Sequence, residues 1–299
     1  MIDLSFWNLT IPAGATVIPT KALNAGYTDQ FFLRRTDGAL TFIAPSTGEN
    51  IKSTKNSTYP RSELRETLAN GDDKEANWRP ASAALHSLEA TLSVEELPKS
   101  KKAIIGQIHG DGDHPPLKIQ ITGTTIYAQL RRKLDGVEDK PKLLTGYKLA
   151  ETFTYRFEVD AQGRAKFFIN GKQVVSDTLP ADGYQFDMAS YAMDTWYFKA
   201  GMYSQEKVGG TGTGRATFHA LTAYHGPAAA CAVPDVALPL ATILADQIVD
   251  TFSAWQIGEI TAKEAATALN ALSKVVAKVP SDKDRAPLYA QIKYYKGMI

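Results

Sequence analysis

The sequence predicts an all-β protein, a β-sandwich or jelly roll, with a small all-α segment at its C-terminal end. Three observations carry this. From Trp7 to about Tyr224 the chain breaks into short runs of alternating apolar and polar residues, separated by Gly, Pro, Asn and Asp. Within that region Asn170-Gly171 lies between Phe168-Ile169 and Lys172-Gln173-Val174-Val175, and this dipeptide readily takes the two positive φ angles of a tight hairpin. After Asp235 the apolar spacing lengthens from two residues to about 3.6.

A chain of 299 residues with 44% hydrophobic and 22% charged content can bury a sizeable core in one large domain or two unequal ones. Its 33 basic and 32 acidic side chains leave a net charge of +1, which gives no overall electrostatic case for nucleic acid or a membrane surface. A charged ligand must therefore be met locally. The single cysteine, Cys231, excludes an internal disulfide and cannot by itself build a thiolate metal site. No metal and no cofactor are expected. No apolar run reaches the roughly 18 residues of a membrane span. Met1 to Leu9 lacks the basic start, apolar run and small-residue cleavage site of a secretory signal. The expectation is a chain that stays inside, leaves by another route, or is written in its mature form.

Taken in order, the first strand is Trp7-Asn8-Leu9-Thr10-Ile11-Pro12. In Tyr59-Pro60-Arg61-Ser62-Glu63-Leu64-Arg65-Glu66, strand geometry puts Arg61, Glu63 and Arg65 on one face, with Glu63 read as held between two guanidinium groups. Leu88, Ala90, Leu92 and Val94 form the apolar side of the next strand. In Ala103 to His109, Ile104 and Ile108 are expected on the core face, interrupted by Gly106, with Gln107 and His109 together on the other. A lone histidine beside a loop is more often a surface or satisfied histidine than a catalyst; the constellation of two-faced segments, not the residue, makes this one a candidate. The segment Gly110-Asp111-Gly112-Asp113-His114-Pro115-Pro116 lacks the length and carboxylate spacing of a calcium loop and reads as a turn over a cleft.

Ile126, Ala128 and Leu130 mark another half-buried strand, after which Arg131-Arg132-Lys133 either line one end of a groove or form a solvated strand end. Phe153, Tyr155, Phe157 and Val159 alternate in the same way. Tyr197 to Gln205 is the most informative run: Tyr197, Lys199, Gly201, Tyr203 and Gln205 share one face, and Phe198, Ala200 and Met202 the other. One face is chemical and the other is core, although an antiparallel strand with one side in water alternates identically. The glycine-rich stretch 209–214 precedes a strand rather than a helix, so it is no phosphate loop, and it reads as a flap.

Residues 1–226 are thus one β domain, 227–234 a linker, and 235–299 a helical extension. In the extension Leu240, Ile243, Leu244, Ile248 and Phe252 fall near a helical period. Thr261-Ala262-Lys263-Glu264 has capping-box spacing ahead of Ala265, Leu269, Leu272 and Val276, and Ser281 is placed to cap a helix carrying Leu288, Ile292 and Tyr295. Packing, oligomerisation and docking to a larger particle are all open roles for it.

Three of these segments, Arg61-Ser62-Glu63-Leu64-Arg65, Gln107-Ile108-His109 and Tyr197 to Gln205, together resemble the signature motifs of polysaccharide lyase family 7 alginate lyases, and they stand in the family's order. With the N-terminal strand, the resemblance covers roughly residues 1–226. It implies a β-jelly roll whose concave sheet forms a groove for an anionic polysaccharide, alginate, cleaved by β-elimination to leave unsaturated 4-deoxy-hex-4-enuronate ends. By the same resemblance, Arg61, Gln107 and His109 meet the carboxyl of the sugar at the cleaved bond, His109 also serves as base, and Tyr203 is the general acid. Glu63, Arg65, Tyr197, Lys199 and Gln205 are the implied substrate-binding residues, with Glu63 orienting Arg61 and Arg65. Ile108 in the second motif points to acceptance of guluronate-containing blocks, and endolytic cleavage is expected. A non-catalytic polyuronate-binding jelly roll, a lyase on another polyuronate such as polyglucuronate, and a glycoside hydrolase are the rival readings. A hydrolase needs two carboxyl groups facing one bond, whereas Glu63 and Glu66 fall on opposite faces of their strand.

Overall fold

The computed structural model describes residues 2–68, 73–110, 114–226, 248, 251, 261–277 and 282–298. The chain divides into two compact units, residues 1–230 and 231–299. Among the described residues, the first unit consists mainly of a nine-stranded and an eight-stranded sheet, antiparallel throughout.

The nine-stranded sheet runs β10 (Glu138–Asp139), β9 (Thr125–Arg131), β8 (Leu117–Thr122), β7 (Lys102–Gly110), β16 (Trp196–Ser204), β5 (Arg61–Glu66), β1 (Trp7–Thr10) and β2 (Val17–Ile18), with β11 (Lys142–Leu144) against β9. The eight-stranded sheet runs β14 (Lys172–Gln173), β13 (Arg164–Ile169), β12 (Thr152–Asp160), β6 (Leu85–Glu96), β17 (Thr213–His225), β4 (Leu40–Pro45) and β3 (Phe32–Arg34), with β15 (Tyr184–Gln185) against β13. A five-residue helix, α1 (Thr20–Asn24), follows β2.

Strand alternation builds the layer between the sheets. Along β12 the buried side chains are Phe153, Tyr155, Phe157 and Val159, and they meet Phe198, Ala200 and Met202 of β16 in one apolar core. The Asn170-Gly171 hairpin forms as expected, with both residues at positive φ between β13 and β14.

One expected face is reversed. Ile104 points to the groove side, not the core, because β7 carries an extra residue: its register against β8 shifts between Ile104 and Gly106. Such a bulge puts two successive residues on one face. Ile105 is fully buried in the core cluster, and Gly106 faces the core too, where an added Cβ would lie 2.2 Å from the Tyr155 hydroxyl. That hydroxyl donates to the Ile105 carbonyl at 2.9 Å. Beyond the bulge the phase is restored for Gln107 and His109.

In the second unit, α2 (Ala262–Val276) and α3 (Asp282–Lys296) are described, together with Ile248 and Thr251 in helical conformation. The expected capping box forms: Thr261 N donates to Glu264 Oε2 at 2.8 Å and Glu264 N to Thr261 Oγ1 at 3.3 Å. Ala265, Leu269 and Val276 of α2 and Leu288, Ile292 and Tyr295 of α3 are buried. The linker at 227–234, Ser281 and most of the helical period over 240–252 lie outside the described residues.

Candidate active site

Hydrogen-bonded pairing sets β5, β16 and β7 side by side at the middle of the nine-stranded sheet, so segments far apart in the chain share one surface. Lys199 is opposite Arg65 on one side and Gln107 on the other; Tyr203 is opposite Arg61 and Ile104; Tyr197 is opposite His109. The surface floors a groove of about 540 Å³. Arg61, Arg65, Gln107, His109, Tyr197, Lys199, Tyr203 and Gln205, all expected at the site, line it.

Glu63 is the exception. It is 1% exposed and lies beneath the floor, so it does not face the groove itself. Its carboxylate accepts from Arg61 NH1 at 3.2 Å, Lys199 Nζ at 2.6 Å and Gln107 Nε2 at 2.6 Å. The expected partnership with Arg65 is absent: Arg65 NH1 pairs with Glu75 at 2.5 Å and its Nε donates to Asn8 Oδ1 at 3.3 Å. The reason is cross-strand. Lys199 and Gln107 come from the neighbouring strands and complete the shell of Glu63, whereas Arg65 has Asn8 opposite it on β1. Burial raises the Glu63 carboxyl, but the charges of Lys199 and Arg61 outweigh it and hold the group below the ordinary carboxylate range. Burial in turn pulls Lys199 down to about 8, against the attraction of Glu63.

His109 stacks on Tyr197, with ring centroids 5.3 Å apart. Its Nδ1 lies 2.6 Å from the Gly110 carbonyl, which can only accept, so Nδ1 carries the ring hydrogen and Nε2 keeps a free lone pair. Burial, then the charge of Lys199, lowers His109 to about 4. The imidazole is neutral near pH 7 and able to take a proton.

At the other end of the constellation the Arg61 guanidinium covers the Tyr203 ring at 3.7 Å. The Tyr203 hydroxyl sits 2.9 Å from Ser57 Oγ. Arg61 Nε is buried without a hydrogen-bond partner. The Arg61 guanidinium, Lys199 and Gln107 line the groove together, and this cluster of donors suits an incoming carboxylate.

Several groove features have no signature in the sequence. Lys55, Asn56 and Ser57 reach the site from the segment between β4 and β5, where neither strand nor helix period marks them, and Lys118 enters from β8. Conversely, Arg131, Arg132 and Lys133 are engaged elsewhere, with Glu138, the Tyr184 ring and Asp187. The stretch 209–214, read as a flap, is tied by backbone bonds from Gly209 to Ser46 and from Lys99 to Thr211. Pro115 lines the groove, but residues 111–113 of the expected turn lie outside the described residues. No group of three or more His, Cys, Asp or Glu side chains among the described residues is arranged to hold a metal.

The model of the alginate lyase family matches residues 2–225. An alginate lyase of Klebsiella pneumoniae is 32% identical over an alignment covering 75% of this chain and 90% of that protein. Among solved structures, alginate lyase PA1167 from Pseudomonas aeruginosa is 37% identical with a TM-score of 0.65, covering 75% of this chain and 99% of that one. A variant of family 7 alginate lyase A1-II′ in complex with a product, GGG, is 33% identical with a TM-score of 0.65, covering 75% and 97% of the two chains.

Proposed function

The chain belongs to the alginate lyase family, within polysaccharide lyase family 7, and from that premise we propose that it cleaves 1,4-linked uronate polymer by β-elimination, accepting guluronate-containing blocks and cutting within the chain. The observation that carries the proposal is a neutral His109 with Nε2 free at one end of the constellation, the Tyr203 hydroxyl at the other, and Gln107 and Lys199 between them.

A proton on the carbon next to an ionised carboxylate is weakly acidic, so the site must neutralise that carboxylate and hold the charge that develops. Arg61, Gln107 and Lys199 supply donors for this. His109 Nε2 then takes the C5 proton, Tyr203 gives its proton to O4, the C4–O4 bond breaks, and a C4–C5 double bond forms. In guluronate the C5 proton and O4 lie on opposite sides of the ring, which suits a base and an acid set apart along the strands. In mannuronate they lie on the same side, so Tyr203 serves both roles. Lys199, Arg61 and Arg65 line the same groove as Tyr203. A groove open along the sheet, rather than a closed pocket, is consistent with internal cleavage.

Hydrolysis is disfavoured because the carboxylate under the groove, Glu63, is occupied by three donors, and Glu75 at its edge pairs with Arg65. The test is ultraviolet absorbance during incubation with polyguluronate, polymannuronate and polyglucuronate separately, since elimination creates a conjugated double bond and hydrolysis does not. Absorbance rising fastest on polyguluronate is expected. Flat traces with new reducing ends would overturn elimination, and flat traces with binding alone would make this a carbohydrate-binding module.

A further inference from the structure

Resting on the reading of Tyr203 as the proton donor, we propose that Ser57 is a positioning residue that aims the Tyr203 hydroxyl and holds the phenolate left after proton transfer. Ser57 lies outside every strand, yet its backbone is fixed. Its N–H donates to the Thr54 carbonyl at 2.9 Å, its carbonyl accepts from Ser53 Oγ at 2.7 Å, and the adjacent Thr58 carbonyl accepts from Val208 N at 3.0 Å.

Either hydroxyl can donate in the Ser57–Tyr203 contact. Ser57 Oγ accepts from Tyr59 N at 3.0 Å, and its single hydrogen has two acceptors in reach, Tyr203 Oη at 2.9 Å and the Tyr59 carbonyl at 3.4 Å. With Ser57 as the donor, as the proposed role requires, the phenolic hydrogen of Tyr203 is free to point into the groove toward O4. If the bond ran the other way, the proton needed by the leaving group would be turned into the loop.

The same bond serves the next stage. When Tyr203 gives its proton to O4, the C4–O4 bond breaks, the C5 proton has passed to the base, and Tyr203 becomes a phenolate. Ser57 then donates to a charged oxygen, a stronger bond than the neutral one before it, while Arg61 lies over the ring at 3.7 Å. The phenolate regains its proton through solvent as the base releases its own. On mannuronate, Tyr203 takes the C5 proton and passes one to O4, both at the oxygen that Ser57 holds, so the loss of Ser57 bears harder on that polymer.

The experiment compares Ser57→Ala, Ser57→Thr and Tyr203→Phe with the full chain on separate polyguluronate and polymannuronate, with kcat and KM resolved and melting temperature recorded. Ser57→Ala should lower kcat about tenfold, the scale of one hydrogen bond to a charged group. KM should stay within about twofold, the loss should be larger on polymannuronate, and Ser57→Thr should restore most of kcat because the hydroxyl is retained. An unchanged kcat in Ser57→Ala beside an inactive Tyr203→Phe would overturn the role of Ser57 alone. A fall not rescued by Thr, or one accompanied by a matching loss of melting temperature, would also overturn it by making Ser57 a loop-packing residue. A Tyr203→Phe enzyme with full activity would instead remove the proton donor on which the proposal rests.

Discussion

At the scale of single residues, the proposed elimination assigns proton transfer to His109 and Tyr203 and charge stabilisation to Arg61, Gln107 and Lys199. His109→Ala and Tyr203→Phe should each lower kcat by about 10²–10⁴-fold on polyguluronate with the circular dichroism spectrum unchanged, the range expected when a proton-transfer group is removed. Near-normal turnover in either variant would remove that residue from the chemistry. The pH profile offers a second check. Because His109 titrates at about 4, kcat/KM should rise through that region instead of near the ordinary 6.5; because Lys199 titrates at about 8, it should fall above that value as the positive charge is lost. The same histidine affects stability. Between about 4 and 6.5 the unfolded chain binds a proton at His109 that the folded chain refuses, so stability should drop as pH falls through that window, measured as midpoint urea concentration. Glu63 has the opposite role: Glu63→Ala leaves Arg61, Lys199 and Gln107 facing no anion, and should cost about 3–5 kcal/mol of stability together with activity.

At the scale of elements, the bulge in β7 is what allows Ile104, Gln107 and His109 to share one side although their spacing violates strict alternation. The two-residue advance at Ile105 and Gly106 is locked from behind by Tyr155. Gly106→Ala should therefore destabilise by about 1–3 kcal/mol through overpacking, and adding Tyr155→Phe should recover part of that loss because it deletes the oxygen that meets the new methyl. A double-mutant cycle by urea denaturation reads the coupling, and simple additivity would contradict the packing account. The rear of β16 is braced comparably. Glu66 Oε2 accepts from Phe198 N at 2.9 Å and Trp78 Nε1 at 3.1 Å, its Oε1 meets His225 Nε2 at 2.6 Å, and His225 continues to His86. This network fixes the backbone between Tyr197 and Lys199 from the core side, leaving their side chains to the groove.

At the scale of the whole molecule, the groove and all its lining residues belong to the first compact unit, which the family match spans almost completely. A chain ending at residue 230 should therefore retain the β fold, seen by circular dichroism, and turnover within about twofold on polyguluronate, the scale of a change that leaves the transition state untouched. Loss of turnover in a folded truncation would assign the helical unit a part in catalysis. The cations of the groove act within a chain of nearly balanced charge, so attraction of the polyanion is a local effect.

What the sequence determines by itself is whatever depends on a few neighbours along the chain. The two-residue period of β12, the hairpin at Asn170-Gly171 and the capping box at Thr261 were all legible for that reason, and so was the polar face of β16 from Tyr197 to Gln205. The three motifs named side chains that the fold brings to one groove. Only the tertiary structure decided who meets whom across strands. Pairing of β5, β16 and β7 gave Glu63 to Lys199 and Gln107 in place of Arg65, the bulge sent Ile104 to the groove, and a loop without any periodic mark brought Ser57 to Tyr203. The physical reason is that alternation is a local property of an extended backbone, whereas register, bulges and hydrogen-bond partners come from long-range pairing and from filling the space between two sheets.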